Sequence, residues 1–143
     1  MVAQRGTLSF QARGAYLLIS LPVSAFHGFD EDGDRRMSEG ELARHRGALS
    51  DQVLAGIQLL RGTEALPLEG LLLNLSRPHH VSGPAEQIVI MGRFKAPGDG
   101  PLRFQLQLFG GDAATRQLQL RITRRGQQSE VRLSPQNTAL QIR

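Results

Sequence analysis

Asp30, Asp32, Asp34 and Glu41 have the type and spacing of oxygen ligands for one hard cation. They lie in the stretch "FDEDGDRRMSEGEL" (residues 29–42), where residues 30–41 hold six of the chain's thirteen acidic side chains. Calcium takes about six to eight oxygens at roughly 2.3–2.6 Å. With Asp30 as position 1, Asp32 and Asp34 fall at positions 3 and 5, Arg36 at 7, Ser38 at 9 and Glu41 at 12. Three alternating aspartates can fold around a single ion. A backbone carbonyl at position 7 makes no demand on its side chain, so Arg36 is acceptable there. Ser38 can contribute directly or through a water, and Glu41 can close the shell with both carboxylate oxygens. The expected ligand set is Asp30, Asp32, Asp34, Arg36, Ser38 and Glu41, with Ca2+ as the bound ion. The plainer account of an acidic run is a solvated turn and a helix cap. The side-chain match at positions 1, 3, 5, 9 and 12, with Phe29 and Leu42 flanking it, favours the ion.

The pattern resembles the EF-hand calcium loop, D-x-D-x-D-G-x-x-x-x-x-E, with Met37 as the apolar residue at position 8. Position 6 of that loop is normally glycine, because the backbone turns there with positive φ. Here it is Arg35. A non-glycine residue in the left-handed region costs about 1–2 kcal/mol, which predicts weakened calcium binding. Gly33, at position 4, does not replace the missing glycine. The only other candidate loop, "GDGP" at 98–101, lacks the remaining ligands, so a paired switch of the calmodulin type is not expected.

From "LPVSAFHGFDEDGDRRMSEGELARHR" through "LQLFG" the chain resembles the extracytoplasmic N-terminal region of hydrogenase/urease accessory (HupE/UreJ-like) bacterial membrane proteins. In those proteins a strand, a D-x-D-G-D-G-x-x-S-x-x-E-L loop and an "ELxRHR"-like helix precede several strands. Only the loop is a specific motif. The resemblance implies a periplasmic or extracellular, calcium-stabilised β domain, excised from a longer membrane protein. This chain departs from it in having no membrane helices, so transport activity is not carried over.

Positioning such a loop requires a helix after it. "SEGELARHRGALSDQVL" supplies one: Ser38 and Glu41 have capping-box spacing, and acids fill the first turn where the helix dipole favours them. Leu42, Leu49 and Val53 fall on one side, and the helix is expected to end between Ser50 and Ala55. Elsewhere the period is two. "TLSFQARGAYLLISLPV" reads as two strands turning near Gly14. "GIQLLRGTEALPLEGLLLNLS" reads as two strands around Gly62–Glu64. "EQIVIMGRF", "LRFQLQLF", "RQLQLRIT", "SEVRLS" and "TALQIR" complete the set, separated by Gly- and Pro-rich breaks. Polar outer faces and short connections predict a mainly β fold, an antiparallel immunoglobulin-like β-sandwich. The whole of residues 1–143 is expected as one domain, with residues 27–54 inserted as the calcium loop and helix.

Composition narrows the function classes. The absence of cysteine removes disulfides, zinc–thiolate sites and cysteine nucleophiles. "MVAQRGTLSF" lacks the apolar segment of a secretory signal, and "LEGLLLNLS" is too short to span a bilayer. Outside residues 30–41 there are fifteen basic and seven acidic side chains, an excess of eight positive charges. Arg103, Arg121, Arg132 and Arg124–Arg125 are candidates for a basic face. With few interleaved aromatics and no nucleic-acid motif, that face does not point to nucleic acid. It leaves an alternative reading as a module for polyanions or lipid head groups. His79 and His80 are adjacent, but nothing in the spacing brings a third metal ligand to them. No G-x-S-x-G, H-E-x-x-H or glycine-rich phosphate loop is present, and Glu69, Glu86 and Glu130 are too scattered to act as a catalytic pair. The expected function is non-enzymatic: a calcium-structured domain that contacts a protein partner or the remainder of a membrane protein.

Overall fold

A computed structural model describes residues 4–11, 14–26, 38–76, 87–96, 100–109 and 117–142. The described residues form ten strands and one α-helix: β1 (Gln4–Gln11), β2 (Gly14–Pro22), α1 (Glu39–Gly56), β3 (Ile57–Arg61), β4 (Glu64–Ala65), β5 (Leu68–Ser76), β6 (Gln87–Lys95), β7 (Leu102–Leu106), β8 (Leu118–Arg124), β9 (Gln127–Leu133) and β10 (Ala139–Ile142). They make a six-stranded sheet in the order β5-β6-β2-β1-β8-β9 and a four-stranded sheet in the order β10-β7-β3-β4. The expected mainly β, two-sheet architecture is present.

Alternation builds the space between the sheets. Leu118, Leu120 and Ile122 of β8 are buried with Leu102, Phe104 and Leu106 of β7 and Leu17, Ile19 and Leu21 of β2 in one apolar cluster. These are the inward positions that a period of two predicts. One ladder departs from the antiparallel expectation: β1 pairs with β8 in parallel, Gly6 opposite Leu120. The β1–β2 hairpin occupies one edge of β1, and the other edge receives a strand from the far end of the chain running the same way.

The run 57–76 does not form the single hairpin its sequence suggests. β3 turns at Gly62 (φ 64) into the two-residue β4, and the chain then crosses to the other sheet as β5. Pro67 lies in that crossing and cannot donate a ladder hydrogen bond. Within β5 the register against β6 shifts by one residue between Glu69 and Leu72, where Gly70 has φ 64. That bulge exchanges the faces of everything after it: Leu72 turns outward opposite Met91, and Leu73 turns into the core.

α1 lies against β5 and β3. Leu42, Leu49 and Val53 are buried, as their spacing predicts, and Arg46 Nη1 donates to Leu73 O of edge strand β5 at 3.2 Å. The helix runs to Gly56 and passes directly into β3. A Cβ at Gly56 would lie 2.6 Å from Leu108 Cγ, so glycine allows the helix end to pack there. Among the described residues no helix is long and apolar enough to cross a membrane.

Candidate functional site

The helix start is built as the sequence requires. Ser38 is the N-cap in extended conformation, and its Oγ accepts from Glu41 N–H at 3.1 Å. Glu41 Oε1 accepts from Ser38 N–H at 3.0 Å. Two of the helix's orphan amides are thereby satisfied reciprocally. Glu39 and Glu41 both lie in the first turn, against the positive end of the helix dipole. Glu41 is only 6% exposed, so its carboxylate is held at the helix start and not spread into solvent.

In loop numbering, α1 begins at position 10, Ser38 at position 9 caps it, and Glu41 at position 12 sits in its first turn. Of the expected ligand set, then, Ser38 and Glu41 are brought together. Asp30, Asp32, Asp34 and Arg36 lie outside the described residues, as do Arg35, His27, His79 and His80. Among the described residues no group of three or more His, Cys, Asp or Glu side chains is gathered as a metal site. The two oxygen-bearing side chains at the helix start are both engaged in the capping box. Coordination by both oxygens of Glu41 would compete with its bond to Ser38 N–H.

The strand arginines do not form one basic face. Arg103 alternates with buried Leu102 and Phe104 on β7 of the four-stranded sheet. Arg121 and Arg132 project from the outer face of the six-stranded sheet. Arg124 departs further: it is 9% exposed, its Nη2 donates to Gly100 O at 3.2 Å, and its guanidinium lies 4.9 Å from the Phe10 ring centroid. It continues the inward series Leu118, Leu120, Ile122, so the alternation that faces the leucines inward carries this arginine with them. Arg125 and Gly126 both have positive φ, the two central residues of a tight hairpin turn between β8 and β9.

The outer face of the six-stranded sheet holds a feature the motif search missed. A groove of about 620 Å³ is lined by Arg5 and Thr7 of β1, Leu18 and Ser20 of β2, Val89 of β6 and the Arg121–Glu130 pair. Glu130 is fully engaged: Oε1 accepts from Arg121 Nη2 at 3.0 Å and Nε at 3.3 Å, and Oε2 accepts from Gln119 Nε2 at 2.8 Å. Hydrogen bonding from Arg121 holds its carboxyl below the ordinary range. The available signal was "AYLLISL", where apolar residues run without alternation, as they do when both faces of a strand are apolar.

Comparison with known protein families and with curated proteins finds no match.

Proposed function

We propose that this chain is a non-enzymatic, extracytoplasmic calcium-binding domain in which the ion is structural. The observation that carries the reading is the start of α1. Ser38 and Glu41, loop positions 9 and 12, meet at a helix that begins at position 10. An acidic loop of the EF-hand type needs this exit, because its last ligand is delivered by the first turn of the helix. The extracytoplasmic location rests on the resemblance to the soluble region of HupE/UreJ-like membrane proteins.

In this reading Asp30, Asp32 and Asp34 supply side-chain oxygens, Arg36 its carbonyl, Ser38 a direct or water-mediated contact, and Glu41 both carboxylate oxygens. The ion joins residues 30–37 to a helix already fixed in the core by Leu42, Leu49 and Val53. It adds stability by mass action, about 2.7 kcal/mol at a concentration one hundred times Kd. Arg35 at the usual glycine position weakens the affinity without removing ligands. The surface so organised contacts a protein partner or another part of a membrane protein.

Calcium calorimetry on the chain and on Asp30→Ala tests this. Saturable heat for the parent chain and none for the variant are expected. Absence of both heat and thermal shift at millimolar calcium for the parent chain would end the reading.

A further inference from the structure

Among the described residues, three of the four exposed large hydrophobic side chains, Tyr16 (48%), Leu18 (46%) and Leu72 (54%), lie on the outer face of the six-stranded sheet. Register sets four positions in one row across four strands, Leu18 and Leu72 among them: Thr7 opposite Leu18, Leu18 opposite Met91, and Met91 opposite Leu72. The row spans three inter-strand spacings, about 14 Å. Its β5 end exists only because the bulge at Gly70 turns Leu72 outward.

The two ends of the row differ in chemistry. At the β5 end the side chains are Leu72 and Met91, with no charge in the row. At the β1 end the groove presents Arg5 and the Thr7 hydroxyl, two residues apart and on the same face. The acid lining the groove, Glu130, is already held by Arg121 and Gln119. Arg5 lies near enough to Glu130 to lower its carboxyl but makes no direct ion pair among the described residues. A cation beside a hydroxyl at one end and aliphatic groups at the other is complementary to an anionic head on an apolar chain. The groove volume of about 620 Å³ suits a small ligand rather than a flat protein contact.

We infer that the outer face of the six-stranded sheet binds a single-chain anionic amphiphile. The head accepts hydrogen bonds from the Arg5 guanidinium and the Thr7 hydroxyl, and the chain lies over Leu18 and Val89 toward Met91 and Leu72. Arg93 borders the chain on the other side. Its guanidinium packs on Gly14 and lies 5.7 Å from the Tyr16 ring centroid. This assignment is independent of the calcium reading.

Tyr16 is the chain's only tyrosine and there is no tryptophan, so its fluorescence reports on this face alone. The test titrates the full chain with dodecanoate below its micellar concentration, by calorimetry and Tyr16 fluorescence. Dodecyltrimethylammonium and acetate serve as comparison ligands, and Arg5→Glu, Leu18→Thr and Leu54→Thr as variants. One-to-one dodecanoate binding is expected, weakened about tenfold or more by Arg5→Glu and by Leu18→Thr. Leu54→Thr, on the exposed side of α1, should bind as the parent does. Arg5 and Leu18 are exposed, so both variants should keep the parent's unfolding temperature, which is measured alongside. Three results would overturn the inference: no saturable dodecanoate binding, equal binding of the cationic amphiphile, or unchanged affinity in Arg5→Glu. A concentration-dependent dimer broken by Leu18→Thr would likewise overturn it, because a second copy would then be the occupant.

Discussion

The start of α1 sets acidic side chains beside buried apolar ones, and the outer face of the six-stranded sheet sets Arg5 and the Arg121–Glu130 pair beside exposed apolar ones, but the two are assembled differently. At the helix start the interacting groups, Ser38 and Glu41, are three residues apart and bond each other's backbone. The helix behind them is fixed by buried Leu42, Leu49 and Val53. On the sheet face Arg5, Leu18, Met91 and Leu72 come from four strands and are aligned only by ladder register. The first region is a local motif tied to the core. The second is a surface whose side chains contribute little to folding and are therefore available to a ligand.

That difference is open to direct attack. Leu49→Ala removes a fully buried side chain beneath the helix and should cost about 2–5 kcal/mol in chemical denaturation. A loss within error of zero would mean that α1 is not anchored as described. Ser38→Ala deletes one half of the capping box and should cost about 1 kcal/mol, with amide exchange rising in the first turn of α1 and not in β8. On the sheet face, Leu18→Thr should change stability by no more than about 0.5 kcal/mol, since the side chain is already half in water and threonine suits a strand. A loss as large as that for Leu49→Ala would make this face part of the core and remove the contrast.

The smallest effect is electrostatic. The Glu130 carboxyl is lowered from its ordinary value of 4.5, chiefly by its hydrogen bonds from Arg121. A lowered folded-state value gives stability that is present above the unfolded-state value and lost as pH falls through the folded one. Glu130→Gln should therefore be slightly less stable than the parent at neutral pH, with the difference closing below about pH 4.5. A difference that widens in acid would contradict the Arg121–Glu130 geometry.

These contrasts also explain what could be seen in the sequence. The cap at Ser38, the helix face Leu42–Leu49–Val53 and the strand alternation 118–122 are local patterns, and each forms as spaced. Arg124 and Leu72 were not legible for opposite reasons. Arg124 follows the alternation into the sandwich although its charge suggests solvent. Leu72 faces outward because one extra residue near Gly70 reverses the faces of β5, and a bulge leaves no mark in a count of apolar residues. The crossing of β5 to the other sheet, and the parallel pairing of β1 with β8, depend on which edges remain free once other strands have paired. The acidic spacing 30–41 that motivates the calcium proposal is legible in full, while geometry is described only at Ser38 and Glu41.

The decisive measurement is calcium calorimetry on the parent chain and on Glu41→Gln, each with helix content followed by circular dichroism. Glutamine retains the capping-box hydrogen bond but cannot offer two carboxylate oxygens to an ion. The account predicts saturable calcium binding by the parent chain, and loss of that binding in Glu41→Gln with the helix intact. Equal calcium affinity in the two, or no calcium heat in the parent, would contradict it and leave the acidic stretch as a helix cap alone.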